Sequence, residues 1–241
     1  YPERLYERSN SQWPIFVERP ENPADKKTYD KAVARLTKTL DMAFTKFPNP
    51  THDKLKTVTF YIMRGPKHRL GGEESVLRYI PNNSSRHYSL QDRRWDNAVV
   101  IYNVDNYLAQ NNLWNNQSVI HELAHAWHIL HWTYQYQPII DAWLSSRNSG
   151  LYQSVKDYKG KILKPAYATT NEFEYFADLS AMYLDGGTYY PFDKQGLATY
   201  YPKGHQMIET HWLTRNISPR QRSSFHSTQN QSPTAFVRTD H

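Results

Sequence analysis

No cysteine occurs anywhere in the 241 residues. That absence excludes disulfide scaffolding, thiolate–zinc sites, cysteine nucleophiles and iron–sulfur clusters. Long apolar runs are missing as well. The longest clean one is Ala98–Tyr102, whereas a membrane-spanning helix needs about 20 residues. Internal repeats and a clear linker are also lacking, so the length suits one α+β domain with a substantial core. The chain opens at Tyr1 with no charged-then-apolar leader, which implies a processed or engineered start with any signal peptide removed. Whatever chemistry exists must use His, carboxylates, hydroxyls, phenols, or a metal held by nitrogen and oxygen.

What the chain has in abundance is aromatic: 7 Trp, 19 Tyr and 9 Phe. Tyr builds core while keeping a polar tip, so a mean hydropathy of −0.82 does not signal disorder. The formal net charge is +6, and part of the excess lies in four Arg from Arg215 onward, opposed only by Asp240. A mild basic balance attracts anionic partners without identifying one. Arg86, Arg93, Arg94 and the Arg-rich tail therefore read as a solvated face. No nucleic-acid-binding motif accompanies them.

Along the chain, residues 1–24 are rich in Pro, Arg and Glu and read as an extended arm anchored by Trp13, Ile15, Phe16 and Val17. The main unit spans 25–217, and a polar, mobile tail is expected over 218–241. Tyr29, Val33, Leu36, Leu40, Phe44 and Phe47 recur at helical spacing until Pro48. Residues 55–63 alternate as a half-buried strand does, 64–97 reads as loop, and Ala98–Val104 is a second strand. A short helical turn from Asp105 precedes a long helix capped by Asn116 or Ser118 and running to about Trp132. Pro138 opens a further helix ending at Gly150. Another covers Glu172–Leu184 and closes at Gly186-Gly187, and a last one spans about 206–213.

The informative stretch is His121-Glu122-Leu123-Ala124-His125. On a helix, positions i and i+4 differ by about 40° of rotation and about 6 Å of rise. Two imidazoles so placed converge and can hold one Zn²⁺. Glu122 sits about 100° round the helix, beside the metal rather than on it, where it can take a proton from a metal-bound water. A catalytic zinc site generally needs a third protein ligand. His131 is one candidate, because HELAHAWHILH matches HExxHxxGxxH except that His128 replaces the Gly. Without the Gly the helix continues, leaving His131 about 80° off the His121 direction and about 15 Å along the axis. Ser180–Tyr183 resembles a Met-turn only loosely, and falls within a helix. Glu174 is the other candidate. It shares a helix face with Asp178, so Glu174 can bind the metal while Asp178 hydrogen-bonds the outer nitrogen of a ligating His. Glu172, rotated about 200° from Glu174, faces solvent in this reading.

These residues resemble the glutamate-zincins, and within them the branch containing the anthrax lethal factor catalytic domain and the secreted Pro-Pro endopeptidases. That branch carries HExxH followed some forty residues later by N-E-x-E-[FY]-F-A-[ED], which stands here as NEFEYFAD, 171–178. The matched span, His121–Asp178, is about a quarter of the chain. The resemblance implies a single zincin-like metallopeptidase domain: a small mixed sheet packed on an HExxH helix and a Glu-bearing helix. It implies one Zn²⁺ per chain on His121, His125 and Glu174, with Asp178 supporting a ligand. It also implies a Tyr seven residues before the ligand Glu, which is Tyr167. The activity implied is endopeptidase hydrolysis of a peptide or protein substrate, with a zinc-activated water as nucleophile, Glu122 as general base and the Tyr167 phenol donating to the oxyanion.

Ala98–Val104 precedes the HExxH helix, where zincins carry the edge strand that pairs with extended substrate, and it reads equally as sheet core. His128 packs or lines the cleft. His205 and His211 have only their His character to suggest a catalytic part. Sequons begin at Asn82, Asn83, Asn116, Asn216 and Asn230. With the Tyr1 start and the missing thiols, they point to a secreted protein. Two rival readings stand beside the peptidase: a metzincin-like enzyme with His131 as third ligand, and a zincin-fold binding or effector protein without proteolytic activity.

Overall fold

Five strands form one sheet in a computed structural model that describes residues 3–65, 77–84, 92–132 and 134–213. They are β1 (Tyr6–Arg8), β2 (Ile15–Glu18), β3 (Thr59–Ile62), β4 (Leu77–Ile80) and β5 (Ala98–Ile101), in the order β1-β2-β3-β5-β4. β2, β3 and β5 run parallel, whereas β1 and β4 are antiparallel to their neighbours. The N-terminal stretch is indeed extended, and it is part of the sheet: Ile15 faces Phe60 and Val17 faces Ile62 across the β2–β3 ladder. Arg4, fully buried, pairs with buried Glu18, whose Oε2 also accepts the Tyr29 hydroxyl and the Arg64 N–H.

Two expectations about the sheet need correcting. β4 lies inside 64–97, the stretch read as loop; four residues between turn signals are too short to stand out by alternation. β5 is interior, between β3 and β4, so it is not the edge strand. Its four residues are buried on both faces, as expected for an interior strand covered on both sides. Val99 and Ile101 join Phe60 and Ile62 in the core under the helices. Ala98 and Val100 join Tyr61, Met63, Trp95 and Tyr102 on the opposite face. The face of β3 expected to be half solvated is therefore covered.

Helices flank the first face: α1 (Lys26–Lys46), α2 (His52–Leu55), α3 (Val104–Ala109), α4 (Asn112–His131), α5 (Gln137–Asn148), α6 (Glu172–Leu184), α7 (Lys194–Tyr200) and α8 (Pro202–Leu213). A β6–β7 ribbon (Val155–Lys156 and Ile162–Leu163) lies between α5 and α6. The result is a mixed α+β single domain. Among the described residues, no helix is long and apolar enough to cross a membrane. α4 is capped five residues before the expected Asn116: its cap is Asn111, whose side chain accepts the Trp114 N–H at 2.9 Å. Asn116 and Ser118 lie within the helix. α6 has the expected bounds and turns out at Gly186 (φ 151°). At the next residue, a Cβ on Gly187 would lie 2.6 Å from Met182 Cγ. The tail expected over 218–241 lies outside the described residues.

Candidate metal centre

α4 and α6 pack directly on one another, and Leu123, Ala124, Phe176 and Ala177 are fully buried. Their facing turns carry the polar cluster. Asn171 caps α6 by accepting the Glu174 N–H at 2.9 Å, which fixes the turn from which Glu174 projects.

The three ligand atoms expected from the sequence meet here. His121 Nε2 lies 2.9 Å from Glu174 Oε2 and 3.0 Å from His125 Nε2, and His125 Nε2 lies 3.3 Å from Glu174 Oε2. His121, His125 and Glu174 form a group that could hold a metal ion. Asp178, 2% exposed, sits one turn beyond Glu174, and its Oδ1 is 2.8 Å from His121 Nδ1. That carboxylate holds the ring proton on Nδ1 and turns the Nε2 lone pair toward the other two donors. Three electron-pair donors at mutual van der Waals contact repel unless a cation lies between them. Burial opposes charge on His121, but Asp178 and Glu174 outweigh it and hold the imidazole well above its ordinary value. Burial likewise works to raise Glu174, and His125 and His121 outweigh it, holding the carboxyl far below the usual range.

Glu122 lies beside this group and outside it. Its Oε2 accepts the Tyr79 N–H of β4 at 2.6 Å. Burial raises its carboxyl above the ordinary value, with the two histidines pulling the other way. Because Tyr79 spends its N–H on Glu122, that N–H points away from β5, and β4 is the sheet edge that borders the site.

Tyr167 lies in a single 3-10 turn, Tyr167–Thr169, 42% exposed, with its ring centroid 6.0 Å from that of His121. Bonds from neighbouring segments tie the turn in place, among them Ala166 N–H to Tyr152 O at 2.8 Å, Ala168 N–H to Tyr189 Oη at 3.2 Å, and Trp143 Nε1–H to Thr169 O at 3.3 Å. Tyr189, which the sequence reading passed over, also donates its hydroxyl to Asp178 Oδ2 at 2.6 Å. No periodic pattern marks it, since it follows α6 in an irregular stretch.

The remaining histidines lie elsewhere. α4 continues unbroken past His128, and His131 stacks on Trp127 at 4.2 Å with Nδ1 3.1 Å from Lys54 Nζ. It is not among the grouped ligands. His128 is fully buried and stacked on Phe173 at 4.6 Å, so it packs. His205 lies against Tyr183 and buried His211 against Trp132. Glu172 is half-buried on the first turn of α6 and takes no part in the group. Arg94 is held by Asp92 and lies over Tyr6, while Arg86 lies outside the described residues. Compared with known proteins, the chain matches no family model and no curated protein.

Proposed function

We propose that this protein is a zinc-dependent endopeptidase with a zincin-type site, acting outside the cell. The observation that carries the reading is the donor triangle. Zn–N and Zn–O bonds of about 2.0–2.1 Å in tetrahedral geometry put donors about 3.3 Å apart, close to the 2.9–3.3 Å found here. Two imidazoles and a carboxylate with an outer Asp on one ring also suit zinc in its donor chemistry. Zinc held there supplies Lewis acidity, acidifying a water and polarising a peptide carbonyl.

The chain's own residues account for the rest. Glu122 is anchored through Oε2, which leaves Oε1 to take a proton and return it to the leaving amine. Its raised carboxyl suits that exchange. Tyr167, exposed beside the His121 ring, is positioned to donate its phenol to an oxyanion. The substrate-pairing part considered for Ala98–Val104 passes to β4, whose outer edge borders Glu122. For secretion, the supporting feature is the sequon pair Asn82 and Asn83, exposed on the turn after β4.

Zinc content and a peptide-library digest test this. The expected result is one zinc per chain and cleavage that chelator abolishes and zinc restores. Stoichiometric zinc with no cleavage of any library would favour the non-proteolytic binding protein instead.

A further inference from the structure

We infer that Tyr189 is a positioning residue, whose hydroxyl ties the His121 ligand to the turn carrying Tyr167. The inference rests on the metal-site reading above and assigns a part to a residue outside the sequence motifs.

A phenol has one proton to give and lone pairs to receive. The Ala168 N–H can only donate, so the Tyr189 oxygen accepts there at 3.2 Å and its proton goes to Asp178 Oδ2 at 2.6 Å. Asp178 Oδ1 in turn holds the Nδ1 proton of His121 at 2.8 Å. The result is a continuous chain from imidazole to carboxylate to phenol to backbone amide, ending one residue from Tyr167. Tyr189, Asp178 and Ala168 are each 3% exposed or less, so water cannot readily replace a missing member.

Tyr189 is itself held on both sides. The Thr188 N–H donates to Gln117 Oε1 of α4 at 2.9 Å, and the Tyr190 N–H to Lys156 O of β6 at 2.8 Å. The phenol is thus fixed relative to the helix bearing His121 and His125, and it sets two things at once. It stops Asp178 from rotating away from His121, and it fixes where the Tyr167 turn begins.

Tyr189→Phe removes the hydroxyl and keeps the ring. The test is zinc affinity, measured by chelator competition on wild type, Tyr189→Phe, Asp178→Asn and the double variant. Tyr152→Phe is the control, since that buried hydroxyl meets no hydrogen-bond partner among the described residues. Outer partners of a metal-bound His are worth about 10- to 100-fold in affinity. Tyr189→Phe is expected to lose about 10-fold, with the double variant no weaker than Asp178→Asn alone because the phenol acts through Asp178. The visible spectrum of the Co²⁺-loaded protein should shift in Tyr189→Phe and stay unchanged in Tyr152→Phe. That signature would not move if Tyr189 merely filled space. If Tyr189→Phe does not fold, Asp178→Asn carries the test from the other end of the contact, and an unshifted Co²⁺ spectrum there overturns the inference. Affinity within about twofold of wild type in Tyr189→Phe, or losses that multiply in the double variant, overturns it too while the metal site stands. Wild-type protein that takes up no zinc overturns both.

Discussion

Glu122 answers two demands with two oxygens. One is spent on the Tyr79 N–H, and in the proposed reaction the other exchanges a proton. Glu122→Gln preserves an acceptor for Tyr79 and removes the exchange. Zinc content should stay at one per chain, while kcat on any cleaved peptide falls about 10²- to 10⁴-fold. Loss of zinc in that variant would mean the carboxylate had been a ligand. Tyr167→Phe removes only a phenol. If it donates to an oxyanion, kcat should drop about 10²-fold with KM nearly unchanged. The candidate residues that emerged from the sequence are those placed by helical rotation, His121, Glu122 and His125 on α4 and Glu174 and Asp178 on α6, together with Tyr167, which came from the family resemblance. Tyr189 did not emerge, because its place depends on how the chain folds back after Gly187.

At the scale of the element, caps decide where the ligands project. Asn171 closes the first turn of α6 by accepting the amide of Glu174 itself. Asn171→Ala should cost about 1 kcal/mol in folding stability, a fall of roughly 2–4 °C in thermal midpoint for a chain of this size. It should also weaken zinc binding, because the ligand's own turn is loosened. Asn111→Ala, at the start of α4 and over two turns from His121, should show a comparable stability loss with zinc affinity unchanged. The pair separates ligand placement from helix stability. Caps were also where the sequence misled: Asn111, Asn116 and Ser118 are all good N-caps, and only packing decides among them. The same holds for the strands. β5 was plain as a strand because it is apolar on both faces, but that composition does not say which neighbour it has, whereas β4 was too short to stand out between turns.

For the molecule as a whole, acid stability should depend on a histidine outside the metal group. His211, on α8, packs against Trp132, Tyr136 and Phe176, and its Nδ1 donates to Met207 O at 2.6 Å. Burial lowers its basicity, and the bond to Met207 only partly offsets this. The unfolded chain then binds more protons than the folded one between the depressed folded value and the ordinary 6.5, so stability rises with pH across that window. The contribution of neutral His211 is full above about pH 6.5 and is lost as pH falls through the folded value. His211→Phe keeps an aromatic ring and deletes the titration. Urea midpoints of the metal-free protein should fall on acidification below about pH 6.5, and the slope should flatten in His211→Phe. The metal-free form is required because metal binding at a His/Glu site is itself pH-dependent, which would add a second acid-sensitive loss. An unchanged slope in His211→Phe would move the acid sensitivity to another buried group.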